Sequence, residues 1–233
     1  MLIIAHRGAS GTYEENSREA FQAALEMDAD AVETDVRRCV CHGILKLSHD
    51  PIQEKQNCEK LLSFKDFLQI KARGRYLPLS DLETDIGEEF ALHIEIKDKG
   101  LLHDILNITQ DLRYRKDFIF SSFLWLELLK MRWLNHGARI GLLWNPKEIA
   151  LPCWLVALAG KILSAESIHI ELDTLTQAMV HYFRRKRFAV YAYSAEPISP
   201  RDQIAKAAFL DVDGIFTDYP AYSRDYLSKT TFQ

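Results

Sequence analysis

A single (β/α)8 barrel is the fold this sequence predicts, and three observations carry the prediction. The chain has 233 residues, inside the roughly 200–250 that one such barrel occupies. Short apolar runs alternate with helical periodicities along its whole length, which is the pattern of a parallel sheet covered by helices. No Pro/Gly/Ser-rich linker, internal repeat or low-complexity tract divides it, so one domain spanning 1–233 is expected. The rival is an open doubly wound sheet, but no Gly-rich dinucleotide fingerprint follows any strand-like run.

In chain order, the first strand is the apolar run Leu2–Ala5, and a helical pattern over Ser17–Met27 follows, with Asn16 or Ser17 as its cap. Ala31–Val36 is the second strand, and the apolar run Ile44–Leu47 pairs beside it. The polar stretch 50–74 reads as a connection over the barrel mouth, where loops carry function, with short helices near Phe64–Lys71 and Ser80–Asp85. Strands then fall at Ala91–Ile96, Phe118–Ser121, Arg139–Leu143, Ser167–Ile170, Phe188–Tyr193 and Val212–Thr217. Helical patterns sit between them at Leu101–Leu112, Leu124–Asn135, Pro152–Ile162, Thr174–Arg185 and Pro200–Phe209. Leu124–Trp133 reads as an ordinary amphipathic helix. Pro152–Ala159 is apolar nearly all round, with burial inside the fold as the default and a partner subunit or membrane surface as the alternatives. The basic run Arg184–Arg187 ends a helix, where cations favour the negative end of the dipole.

Twenty-nine Lys and Arg against thirty-three Asp and Glu give a net charge of −4, which argues against a nucleic-acid partner. An apolar fraction of 48% excludes disorder. Four cysteines (Cys39, Cys41, Cys58, Cys153) are too sparse for a disulfide framework, and Cys39-Val-Cys41-His42 lacks the second pair a zinc site needs. The opening residues carry no basic-then-apolar signal, and Leu151–Leu163 falls short of a membrane span. The expectation is a soluble protein of a reducing cytoplasm, for which membrane contact is not the leading reading.

Parallel strands, buried on both faces, should read as continuous apolar runs, yet several here end in charge. Glu33 and Asp35 are two apart on one strand and share a face, as do His93, Glu95 and Lys97 on the next. Ionised carboxylates inside a barrel are costly unless paired or metal-bound. Glu33, Asp35 and Glu95 converging on one mouth make an all-oxygen site suited to Mg²⁺ or Ca²⁺. The bland alternative pairs Glu33 and Asp35 with Arg37 and Arg38, and Glu95 with Lys97. His6 and His49 each close an apolar run and are candidate acid and base, whereas His42, His93, His103, His136, His169 and His181 read as structural. Arg7 and Lys97 add two cations beside the carboxylates. Cations with a hard divalent ion suit a phosphoryl group, whose charge spreads over its non-bridging oxygens. The inventory points to phosphate ester cleavage.

These residues fall in an ordered set of motifs: His6-Arg7-Gly8, Glu33-Thr-Asp35, His49-Asp50, Glu95-Ile-Lys97, Phe120-Ser-Ser-Phe123 and Gly214-Ile-Phe-Thr-Asp-Tyr-Pro220. In that order the chain resembles the glycerophosphodiester phosphodiesterases. The resemblance implies a (β/α)8 barrel that hydrolyses glycerophosphodiesters to sn-glycerol 3-phosphate and an alcohol. It implies Glu33, Asp35 and Glu95 as ligands of Mg²⁺ or Ca²⁺, His6 and His49 as the acid–base pair, and Arg7 and Lys97 as phosphate holders. Two departures stand out. Glu14-Glu15-Asn16-Ser17 replaces Pro-Glu-Asn-Thr, and Tyr191-Ala-Tyr-Ser194 replaces Trp-Thr-x-Asn. Two alternatives remain: a lysophospholipase D-like hydrolase, favoured if Leu151–Leu163 faces a membrane, or a catalytically idle barrel serving as a binding module.

Overall fold

Eight parallel strands close on themselves in the order β1-β2-β4-β5-β6-β7-β8-β9 and back to β1. They are β1 (Leu2–His6), β2 (Ala31–Arg38), β4 (Ala91–Ile96), β5 (Phe118–Ser122), β6 (Arg139–Trp144), β7 (Ser167–Glu171), β8 (Ala189–Tyr193) and β9 (Gly214–Thr217). The short β3 (Leu45–Leu47) stands outside the closure and pairs antiparallel with the end of β2. The computed structural model describes residues 1–39, 43–51, 77–81, 91–111 and 118–230. Beyond Pro51, the connection expected at 50–74 lies outside the described residues, as do the helix expected at Phe64–Lys71, most of that expected at Ser80–Asp85, and Cys41, His42 and Cys58. Of the Ser80–Asp85 region, a 3-10 turn at Leu79–Asp81 is described.

The helices are α1 (Arg18–Glu26), α2 (Leu102–Asp111), α3 (Trp125–Leu134), α4 (Cys153–Ile162), α5 (Gln177–Arg185), α6 (Pro200–Leu210) and α7 (Pro220–Thr230). Local chemistry sets several boundaries. The Ser17 hydroxyl accepts the Ala20 N–H at the start of α1, Thr176 does the same for Met179, and Ser199 for Asp202 with Pro200 next in line. Arg184, in the last turn of α5, pairs with Asp211 and Asp213, so the first residue of the basic run is a structural tether.

Alternation along each strand divides the packing. Val32, Ile94, Ile140, Ile168, Val190 and Ile215 point outward and are buried under the helices. Ile4, Ala31, Tyr191 and Phe216 point inward and form a separate small cluster inside the barrel. His93 and His169 share that interior, with ring centroids 5.9 Å apart and His169 5.1 Å from Phe216. Gly141 makes the room: a Cβ there would lie 2.4 Å from His169 Cε1.

Burial, with a smaller push from Arg139, holds His93 down at about 3, and burial holds His169 well below the ordinary histidine range. Between about pH 6.5 and 3 the unfolded chain therefore binds the proton that folded His93 refuses, so acid destabilises the fold. The expected contribution is about 1.4 kcal/mol per pH unit. Urea unfolding of the wild type should weaken from pH 6.5 to 5 by about 1.7 kcal/mol more than that of His93→Leu. Parallel pH dependences would show that the ring accepts a proton inside the barrel.

Three elements depart from the sequence reading. α7 had no counterpart in it; only Pro220 and Ser223 of that helix are buried, so it carries little apolar periodicity. α3 is not an ordinary amphipathic helix: Glu127 is buried while Leu126, Leu129, Trp133 and Leu134 are exposed. On α4, Val156, Ala157 and Gly160 are buried, but Trp154, Leu158 and Ile162 face outward, so default burial holds for one side only. Among the described residues, no helix is long and apolar enough to cross a membrane.

Candidate active site

The C-terminal ends of β1, β2 and β4 gather the charged residues, because parallel register sets them side by side. His6 lies opposite Glu33, and Asp35 lies opposite Glu95. Glu33, Asp35 and Glu95 each bring a carboxylate oxygen within 4.8 Å of the other two. Lys97, one residue past β4, places Nζ 2.8 Å from Glu95 Oε1 and 3.1 Å from Asp35 Oδ1. Arg7 takes a left-handed backbone (φ 56°) and is followed by Gly8 at φ 83°. At Gly8 a Cβ would lie 2.6 Å from the Ala20 carbonyl carbon, so this tight turn demands glycine.

The turn aims Arg7 back over the carboxylates. Its backbone N–H donates to Glu33 Oε2 at 3.1 Å, its Nε sits 3.0 Å from Asp35 Oδ2, and its Nη1 donates to Glu15 at 2.6 Å. Arg37 and Arg38 turn elsewhere, to Asp98 and Asp104. Of the bland pairing scheme only Glu95 with Lys97 forms.

His6 and His49 line one cleft of about 560 Å³ together with Arg7, Glu33, Glu95 and Lys97. His6 Nδ1 is 2.7 Å from Asp218 Oδ1, and His49 Nδ1 is 2.9 Å from Asp50 Oδ1. His49 arrives on the loop after β3, fixed by Ser48 N–H donating to the Asp35 carbonyl and by Arg37 Nε donating to the His49 carbonyl. The far wall of the cleft is more apolar, with Phe123, Leu143, Tyr193 and Ile198, and has Glu148 and Glu196 among its lining. Of the departure at Tyr191–Ser194, Tyr193 and Ser194 fall on this wall, whereas Tyr191 lies in the barrel interior. Tyr193 packs edge-on to Phe123, and the Ser194 hydroxyl accepts from Gln203.

Three further residues belong to the arrangement. Asp218, in the closing motif, accepts hydrogen bonds from Ser10 as well as approaching His6. Asn16 is no helix cap; it is buried at φ 55°, donates to Asp35 Oδ2 and accepts from Thr34. Glu171, buried at the end of β7, accepts the N–H groups of Asp173, Thr174 and Ala195, so it holds two mouth loops. Asp218 and Glu171 were findable by the rule that flagged Glu33, a carboxylate at the C-terminal end of a strand.

The electrostatics are those of crowded, desolvated charge. Burial, then the Asp35 charge, pushes Glu33 up to about 8. Burial also raises Glu95, against the pull of Lys97. For Asp35 burial works upward as well, but Lys97 and Arg7 outweigh it and hold the carboxyl below its ordinary value. Burial depresses His6, yet the Asp218 hydrogen bond and the Glu33 charge overcome it and the imidazole rises. His49 is lowered by burial and then by Arg7 and Lys97. The two imidazoles are thus offset in opposite directions.

The donor set fits a hard divalent cation. It is all oxygen, and the three carboxylates are buried or nearly so with one oxygen of each within 4.8 Å of the others. A cation among the three carboxylates would offset both the burial and the neighbouring Asp35 charge that raise Glu33.

Comparison with known proteins follows the same line. The model of the glycerophosphoryl diester phosphodiesterase family matches residues 6–52 and 81–222. A glycerophosphodiester phosphodiesterase of Caldanaerobacter subterraneus is 26% identical over 94% of each chain. Among solved structures, a glycerophosphodiester phosphodiesterase of Thermotoga maritima superposes with a TM-score of 0.78 at 23% identity, covering 97% of this chain and 98% of its own. An Oleispira antarctica phosphodiesterase in complex with the product sn-glycerol-3-phosphate gives 0.79 at 19% identity, covering 98% and 97%. These structural likenesses carry the barrel fold.

Proposed function

Because the chain belongs to the glycerophosphoryl diester phosphodiesterase family, we propose that it cleaves glycerophosphodiesters to sn-glycerol 3-phosphate and an alcohol. One observation carries the reading: the oxygen triad, two cations and two oppositely offset histidines line or adjoin a single cleft of a barrel of that family. Glu33, Asp35 and Glu95 would hold Mg²⁺ or Ca²⁺. Such an ion supplies Lewis-acid polarisation of the phosphoryl oxygens and helps orient them.

The chain's own residues do the rest. Arg7 and Lys97 line the cleft beside Glu33 and Glu95, where their remaining donors meet the phosphate oxygens and offset charge as it develops. His6 and His49 trade the protons. One takes a proton from the attacking hydroxyl as its oxygen bonds to phosphorus; the other gives one to the departing alkoxide as the phosphorus–oxygen bond breaks. Asp218 fixes the orientation of the His6 ring and stabilises its protonated form. The more apolar wall at Phe123 and Tyr193 faces the alcohol. A cytoplasmic site of action accords with the low cysteine content, four in 233 residues.

The test is release of sn-glycerol 3-phosphate from glycerophosphocholine and glycerophosphoethanolamine, with Mg²⁺, with Ca²⁺ and with EDTA. Metal-dependent release is expected. Release equally fast in EDTA would remove the metal from the reading, and no release from either substrate with either ion would overturn the substrate assignment.

A further inference from the structure

Seven of the thirteen exposed large apolar side chains among the described residues lie on two consecutive helices, α3 and α4. Trp133 is 82% exposed and Trp154 59%, far from the burial that large aromatic side chains usually reach in a fold. The two helices are tied at their C-terminal ends, where Arg132 on α3 donates to the carbonyls of Leu163 and Ser164 just past α4. An apolar cleft of about 450 Å³ beside α2, lined by Leu102, Leu129 and Trp133, adjoins α3. Large apolar side chains exposed in this number on neighbouring helices mark an interaction site.

The charge pattern selects the occupant. α3 and α4 carry Lys130, Arg132 and Lys161. Their one carboxylate, Glu127, is buried and pairs with Lys130 and the Gly100 N–H, so the net positive charge of the two helices rests on Arg132 and Lys161. A cationic face on a chain of net charge −4 would meet its own cations in a self-paired dimer, but it complements an anionic bilayer. Exposed Trp beside Lys is also the chemistry of the lipid–water boundary, where the indole spans the polar and apolar zones.

We propose that the α3–α4 face docks the barrel on an anionic lipid surface. The loops that lead into these helices contribute Phe123, Asn145 and Glu148 to the catalytic cleft, so docking brings the mouth beside the headgroup layer. The protein acts there as a peripheral enzyme.

The experiment is sedimentation of the full chain with phosphatidylcholine vesicles, with and without phosphatidylglycerol, beside its sedimentation mass in the absence of lipid. Binding to the anionic vesicles alone, weakened by salt, is expected. Lys161→Ala should lower partitioning about 5-fold. The pair Trp133→Ser and Trp154→Ser should lower it by at least about 10-fold, with an unchanged melting temperature because both indoles are exposed. Three results would overturn the proposal. One is no binding to either vesicle, and the second is binding that ignores both tryptophans. The third is a dimer mass that the Trp pair abolishes, which would give the face to a second copy of the chain.

Discussion

Alanine at His6 lowers turnover by about 10²–10⁴-fold, the usual worth of a positioned acid or base, and alanine at His49 does the same. Neither change should disturb the fold, since both rings sit at the barrel mouth, partly open to solvent. The Asp218 variant separates positioning from chemistry. Asp218 holds His6 Nδ1 at 2.7 Å and raises the imidazole above its ordinary value. Asp218→Asn therefore lowers the His6 pKa, and the limb of the pH–rate profile that reports His6 moves to more acid pH. Turnover falls while KM changes little, because the lost interaction orients a group that acts on the reacting atoms. Near-normal turnover in His6→Ala would take that residue out of the mechanism. An unmoved limb in Asp218→Asn would leave Asp218 a purely structural role.

Chelation by EDTA should abolish activity, and Mg²⁺ or Ca²⁺ should restore it. A second readout does not depend on turnover. Three buried or half-buried carboxylates within 4.8 Å repel one another, so a bound cation stabilises the folded state by mass action. At 100 times the dissociation constant this amounts to about 2.7 kcal/mol, a rise of roughly 5–11 °C in melting temperature for a chain of this size. Glu95→Gln removes one ligand oxygen's charge and should raise the half-saturating metal concentration by at least about 10-fold. The sign of the pH dependence follows from Glu33, which stands at about 8. Metal must displace its proton, so apparent affinity rises as pH increases toward 8 and falls below it. A metal titration unchanged in Glu95→Gln, or a melting temperature indifferent to both ions, would give the cations another site.

The eight barrel strands were legible because each is an apolar run of the right length, buried on both faces. The violations of that rule were the informative part. Glu33, Asp35 and Glu95 stood out as charges where apolar residues belong, and register then brought them together. The same rule also fits Glu171, whose carboxylate holds loop N–H groups, so it locates the mouth of the barrel without assigning a role. The partnership of Asp218 with His6 spans 212 positions and exists only because β9 closes against β1. Periodicity says that a segment is a strand, not which strand it will neighbour. α3 misled for a different reason. Leu126, Leu129 and Trp133 form a good apolar stripe, but so do Trp125, Leu128 and Met131, and the helix turns the second set inward, with Leu128 and Met131 buried and Trp125 partly so. A helix with two apolar stripes does not announce which one its sheet will take.

The placement of β3 has a consequence for how the protein fails. His6 ends a strand locked between two neighbours in a closed ring, whereas His49 hangs from a three-residue hairpin arm paired along one edge with β2 and touching Pro78 on the other. Amide exchange in such an arm is governed by its own opening, while the ring exchanges only through cooperative unfolding. The two halves of the proton relay thus belong to different cooperative units. Under mild denaturation the relay comes apart at the arm first, and inactivation runs ahead of the loss of secondary structure.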